Sequence, residues 1–102
     1  MSFWFFFYYT LSLVNIMGTR KLNGKLNVIS KNLMKFRAEK GISQADLCKK
    51  LALLGIPLYT NDIYKIEHNK RTVKDYELYA FAKVLNVKIE DLLSGITEEF
   101  DL

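Results

Sequence analysis

From Ile29 onward, apolar residues recur at helical intervals and predict a run of short amphipathic helices. Ile29, Leu33 and Phe36 follow i, i+4, i+7, and Gly41 ends that helix just after Lys40, whose charge suits the negative end of a helix dipole. Ser43 is a natural N-cap for the next segment, "QADLCKKLALL", with Leu47, Cys48, Leu51 and Leu54 facing inward. Gly55 stops it and Pro57 blocks its continuation. In "LYTNDIYKIEHNKR", residues 58–71, the apolar Leu58, Ile63 and Ile66 share one side of a short third helix that begins near Thr60. The polar loop "HNKRTVK" follows, in which Asn69 is suited to a left-handed backbone. A fourth helix runs from about Asp75 with Leu78, Phe81, Ala82 and Leu85 on one face, and a short fifth, "IEDLL", closes the core. No useful strand alternation and no repeat interrupts this pattern, so residues 28–94 read as an all-α, five-helix domain.

Both flanks depart from it. Residues 1–16, "MSFWFFFYYTLSLVNI", hold seven aromatics in the first nine positions, and no charge precedes Arg20. They lack the positive n-region and small-residue cleavage site of a secretory signal. As a helix, residues 3–17 would rise about 22 Å, short of a hydrocarbon core of roughly 30 Å. Three explanations stand: translation starting at Met17, which is the favoured one, a membrane-associating anchor, or a segment that packs on the domain or a partner. Residues 17–27, rich in Gly, Asn and basic groups, read as a linker or arm, and residues 95–102 as an acidic tail.

Charge and chemistry narrow the function. With a single cysteine and a single histidine, neither an internal disulfide nor a Cys/His metal site can form, and no cofactor is implied. No nucleophile–base–orienter set, phosphate-cradling glycine loop or carboxylate pair in a recognisable frame points to a catalyst. The formal charge of +4 is unevenly spread: Glu90, Asp91, Glu98, Glu99 and Asp101 lie in a C-terminal stretch with no basic residue, leaving 15 basic against 6 acidic groups before it. A basic body with an acidic tail suits a polyanionic partner such as nucleic acid.

Three fragments in order, "RAEKGISQADL", "IYKIEHNKR" and "DYELYAFAKVLNVKIEDLL", resemble the helix-turn-helix family of phage lambda repressor and Cro, the Xre-like group. The resemblance spans residues 33–93 and implies that the third helix enters the DNA major groove. It assigns Thr60, Asn61, Tyr64 and Lys65 to base reading. Asn61 suits adenine N6 and N7, Lys65 suits guanine O6 and N7, and Thr60 and Tyr64 suit a thymine methyl or a phosphate oxygen. Ser43, Gln44, Asn69, Lys70 and Arg71 fall where phosphate contacts position the protein without reading sequence. Arg37 and Glu67 match a family ion pair that sets the angle of the third helix. Asp62 reads as a helix-start residue that also restricts the bases tolerated, and His68 as a solvated loop residue. The connection "LALLGIPLYT" is several residues longer than the family's compact turn, which predicts an extra helical turn ending at Leu54 and an extended link through Ile56 and Leu58. Cys48 stands where alanine is usual and reads as a small hydrophobe.

The function this implies is a cytoplasmic, sequence-specific DNA-binding regulator, a repressor acting as a homodimer on a palindromic double-stranded operator. The alternative is a protein-interaction module of the same fold, antitoxin-like or anti-repressor, whose tail "SGITEEFDL" serves as a docking segment.

Overall fold

The computed structural model describes residues 21–100, so the apolar leader and the membrane anchor considered for residues 3–17 lie outside the described residues. Among those described are five α-helices, α1 (Ser30–Glu39), α2 (Gln44–Leu53), α3 (Thr60–Glu67), α4 (Asp75–Leu85) and α5 (Ile89–Leu92), then a 3-10 turn, Ile96–Phe100. The fold is all-α, and no helix among the described residues is long and apolar enough to cross a membrane. α3 packs on α1 and α2, α4 closes the core against α1 and α2, and α5 packs on α1 and α4. Leu33, Leu47, Leu51, Ile63, Ile66, Phe81, Leu85 and Leu92 are fully buried at the centre. Val28, Phe36, Cys48, Leu58 and Leu78 pack partly buried around them.

The first four helices end in the same way. A residue with positive φ follows each last turn: Gly41 (+65°), Gly55 (+80°), Asn69 (+58°) and Asn86 (+55°). The next amide then reaches back five residues along the chain, from Ile42 to the Arg37 carbonyl, Ile56 to Leu51, Lys70 to Lys65 and Val87 to Ala82. These are Schellman closures, which satisfy carbonyls that a helix end otherwise leaves without partners. Asparagine serves at two of them because it tolerates the left-handed region better than other side chains with a Cβ.

The closure of α2 corrects one inward assignment. The helix stops at Leu53, and Gly55 turns the chain so that Ile56 packs against the core while Leu54 is 48% exposed. The extended link expected through Ile56 and Leu58 is present, with both side chains half-buried. Ile29, read as part of the first helix, precedes it as the N-cap and is still buried.

The segment read as a linker or arm has its own structure from Leu22 onward. Leu22 and Lys25 exchange both backbone hydrogen bonds at 2.9 Å across Asn23 and Gly24, whose φ values are +52° and +78°. Two positive φ angles at the central residues make this a type I′ hairpin turn, for which Asn-Gly is the preferred pair. Asn27 is buried and donates to the carbonyls of Ile66 (3.1 Å) and Arg71 (2.9 Å). The arm is therefore docked on the segment that follows α3.

Gly55→Ala isolates the backbone component of one closure, since a Cβ at Gly55 would have no neighbouring atom within 4 Å. It is expected to destabilise the protein by about 1–2 kcal/mol, read as a lower urea midpoint at unchanged m-value.

Candidate nucleic-acid interface

α3 has two contrasting sides. Ile63 and Ile66 are fully buried against α1 and α2, whereas Thr60, Asn61, Tyr64 and Lys65 are exposed, with His68 at the end of the same surface. An eight-residue helix is too short to hold its shape alone, so its orientation comes from what grips the inner side. The grip begins at Tyr59, the residue before the helix, whose amide donates to Asp62 Oδ2 at 2.9 Å. The other oxygen of Asp62 is 3.7 Å from Arg71 Nε. Asp62 thus has a capping bond and a cationic neighbour that offset its charge beside the exposed side.

The far end of α3 is held more strongly. Glu67 is a buried carboxylate whose two oxygens accept from Arg37 Nε (2.7 Å), Arg37 Nη2 (3.0 Å) and Gln44 Nε2 (3.0 Å). Arg37 Nη1 donates in addition to the Ile42 carbonyl at 3.0 Å. One side chain from each of α1, α2 and α3 therefore meets at Glu67. The hydrogen bond to Glu67 holds the Arg37 guanidinium in its charged form, outweighing the opposing effect of burial.

Two residues read as phosphate contacts are committed elsewhere. Arg71 forms a fork with Glu77, Nη1 to Oε1 and Nη2 to Oε2 both at 2.9 Å, and Nη1 also donates to the Thr72 carbonyl. Asn69 Oδ1 accepts from the amides of Leu26 (2.6 Å) and Asn27 (3.1 Å), while Nδ2 donates to the Asn27 carbonyl (2.9 Å) and Ser30 Oγ (3.3 Å). Both side chains brace the loop behind α3. Ser43 caps α2 by accepting from the Asp46 amide at 3.0 Å and is exposed. Lys70 is also exposed, with its ammonium 5.6 Å from the centre of the Tyr64 ring. His68 lies on the same ring, with centroids 4.1 Å apart. Tyr64 is thus flanked by a histidine and a lysine, which narrows its rotamer freedom before any ligand arrives.

Glu77 has no counterpart in the sequence reading, nor does the clasp of Asn27 on Asn69. Glu77 is buried at the start of α4, where it also accepts from the Lys74 amide at 3.0 Å. Burial pushes its carboxyl upward, but the Arg71 fork and the Lys74 amide outweigh this and hold it below the usual carboxylate range. Burial, and then the Asp62 charge, raise the Cys48 thiol, so Cys48 is a thiol at neutral pH and serves as packing. Among the described residues no cluster of His, Cys, Asp or Glu is placed to hold a metal ion.

The model of the Cro/C1-type HTH DNA-binding domain family matches residues 32–98. The chain belongs to that family. Cro/C1-type domains are non-catalytic DNA-binding modules, and the match covers α2, α3 and α4 entirely. The hairpin, Asn27 and Glu99 lie outside the matched residues. Neither a curated protein nor a solved structure matches the chain.

The two buried forks yield different expectations. Arg37→Met leaves Glu67 without its main partner and should destabilise the protein by about 3–5 kcal/mol in urea unfolding, as for other broken buried pairs. For Glu77, a folded pKa below the unfolded one means that the unfolded state binds more protons as pH falls. Its contribution is complete above the ordinary carboxylate range of about 4.3 and is lost on acidification through the folded value. Glu77→Gln should therefore lower stability at pH 7 and flatten the acid limb of a stability–pH curve, followed by thermal melting.

Proposed function

We propose that this Cro/C1-type domain is a sequence-specific transcriptional regulator, a cytoplasmic repressor that binds a palindromic operator as a homodimer. The observation that carries the reading is the division of α3 between two fully buried isoleucines and a continuous exposed polar side, with its end fixed on Glu67. A recognition helix needs that combination, because base edges are read only by side chains whose backbone is held still. Asn61 and Lys65 are the base-reading donors, to adenine N6/N7 and guanine O6/N7 respectively. Thr60 and the preset ring of Tyr64 meet thymine methyls or backbone oxygens.

Ser43, Gln44 and Lys70 form the phosphate-side set around this helix, with Gln44 oriented by its bond to Glu67. Asn69 and Arg71 contribute from behind, by fixing the loop from which Lys70 projects. Two copies would place two such helices in successive major grooves, about 34 Å apart, which is the geometry that matches an inverted repeat.

Selection from a random duplex library with the full chain at moderate salt tests this. Enrichment of a two-fold symmetric motif is the expected result. If a folded protein enriches no sequence, specific DNA reading is ruled out and the interaction-module alternative takes its place. On the selected site, Asn61→Ala and Lys65→Ala should each lose about 1–3 kcal/mol, roughly 5- to 150-fold in Kd, with much smaller loss on random DNA. Equal loss on both duplexes would remove the base-reading assignment.

A further inference from the structure

The acidic tail and the N-terminal hairpin meet at one carboxylate. Asn23 Nδ2 donates to the Glu99 carbonyl at 2.6 Å and to its Oε2 at 3.1 Å, and Lys25 Nζ is ion-paired with Oε1. The Lys25 and Asn23 hydrogen bonds hold the Glu99 carboxyl below its usual range, and the nearby charge of Lys31 adds to the effect. Asn23, Lys25, Lys31 and Glu99 all lie outside the matched residues 32–98.

The hairpin lies close to the interface. The residues after it, Leu26 and Asn27, are clasped to Asn69, two positions past the end of α3. Between hairpin, α3 and tail is a cleft of about 380 Å³ bordered by Lys25, Lys31, His68 and Asn69 and by the tail residues Glu98 and Glu99. Two lysines and two glutamates thus share a polar cleft beside the end of the helix assigned to the major groove. An ammonium group donates to a phosphate oxygen as readily as to a carboxylate oxygen, so the tail occupies Lys25 and offsets the charge of nearby Lys31, both of which would otherwise serve a DNA backbone.

We propose that Lys25 and Lys31 form a second phosphate-binding pair that the carboxylate of Glu99 keeps masked against arbitrary DNA and releases only when α3 is seated in its specific site. This rests on the reading that α3 seats in the major groove. In the free protein the tail cancels charges that drive sequence-independent binding, and its displacement adds phosphate contacts on the flank of the site. Each added contact steepens the dependence of log K on log salt by about 0.9.

The test measures binding of the full chain to a random-sequence duplex by fluorescence anisotropy, over about 50–200 mM salt. Glu99→Gln is compared with Glu90→Gln, which removes the same charge from an exposed residue with no ion-pair partner among the described residues. The expected result is that Glu99→Gln binds several-fold tighter at low salt with a slope steeper by about 0.9–1.8, whereas Glu90→Gln leaves the slope unchanged. Adding Lys25→Gln to Glu99→Gln should reverse at least half of that steepening. Equal slopes for Glu99→Gln and Glu90→Gln would overturn the masking, leaving only net charge. Weaker binding by a Glu99→Gln protein of unchanged melting temperature would overturn it too, making the contact a support for the hairpin. Salt-dependent binding by the parent chain with no change in slope refutes the mask alone. Absence of binding by all four proteins refutes the DNA reading and the mask together.

Discussion

The arrangement of the DNA-binding half of this domain depends on keeping one charged carboxylate, that of Glu67, out of water. Removing a carboxylate from water costs several kcal/mol, and Glu67 sits at the negative end of the α3 dipole, which adds to the penalty. Three donors offset it, and they come from the two helices that α3 must be fixed against: Arg37 on α1 and Gln44 at the start of α2. A planar guanidinium accommodates a carboxylate in one relative orientation, so the contact specifies an angle as well as a distance. The buried isoleucines of α3 supply attraction without direction, since apolar contact alone leaves a short helix free to slide or rotate. Ile63 and Ile66 hold the helix against the core, and the Glu67 fork decides which residues face outward.

A second fork repeats the device one segment later. Arg71 and Glu77 fix the loop between α3 and α4, and Asp62 extends the charge sequence to the first turn of α3. Asn27 and Asn69 complete the enclosure by exchanging hydrogen bonds between the arm and the loop. α3 is therefore held by polar contacts at its first turn, at its last turn and just beyond it, and at the last two places their removal would strand buried donors or acceptors.

Which of these features could be read from sequence follows from how local their signals are. Helical spacing, the Ser43 cap and the glycines after α1 and α2 are signals within a few residues, and they place the helices to within a residue or two. The single misplaced core residue, Leu54, sits where a helix end shifts by one position and changes which side chain turns inward. The family resemblance, rather than periodicity, picked out Arg37 and Glu67 as a pair. Arg71 shows the limit. A basic residue just past a recognition helix has three outlets, phosphate, solvent or a buried acid, and only the position of Glu77 in space chooses among them. Asn27 is harder still, because a side-chain amide that bonds two distant carbonyls leaves no periodic trace, and the glycines and asparagines around it read as a loose linker. The Asn-Gly pair at 23 and 24 did carry a hairpin signal.

If the exposed side of α3 reads bases as proposed, separating it from the helix's supports has a consequence for discrimination between DNA sequences. The groups that orient α3 are buried and paired, so they respond little to salt, while the groups that meet DNA are exposed and respond strongly. Loosening Glu67, Glu77 or Asn69 would allow α3 to adopt several orientations, each making some phosphate contacts but none the full set of base contacts. Affinity for arbitrary DNA would survive such loosening better than discrimination would, because a phosphate contact tolerates displacement and a bidentate base contact does not. On the proposed reading of α3, specificity would depend as much on Glu67, Glu77 and Asn69, which orient the helix, as on the four residues assigned to read bases.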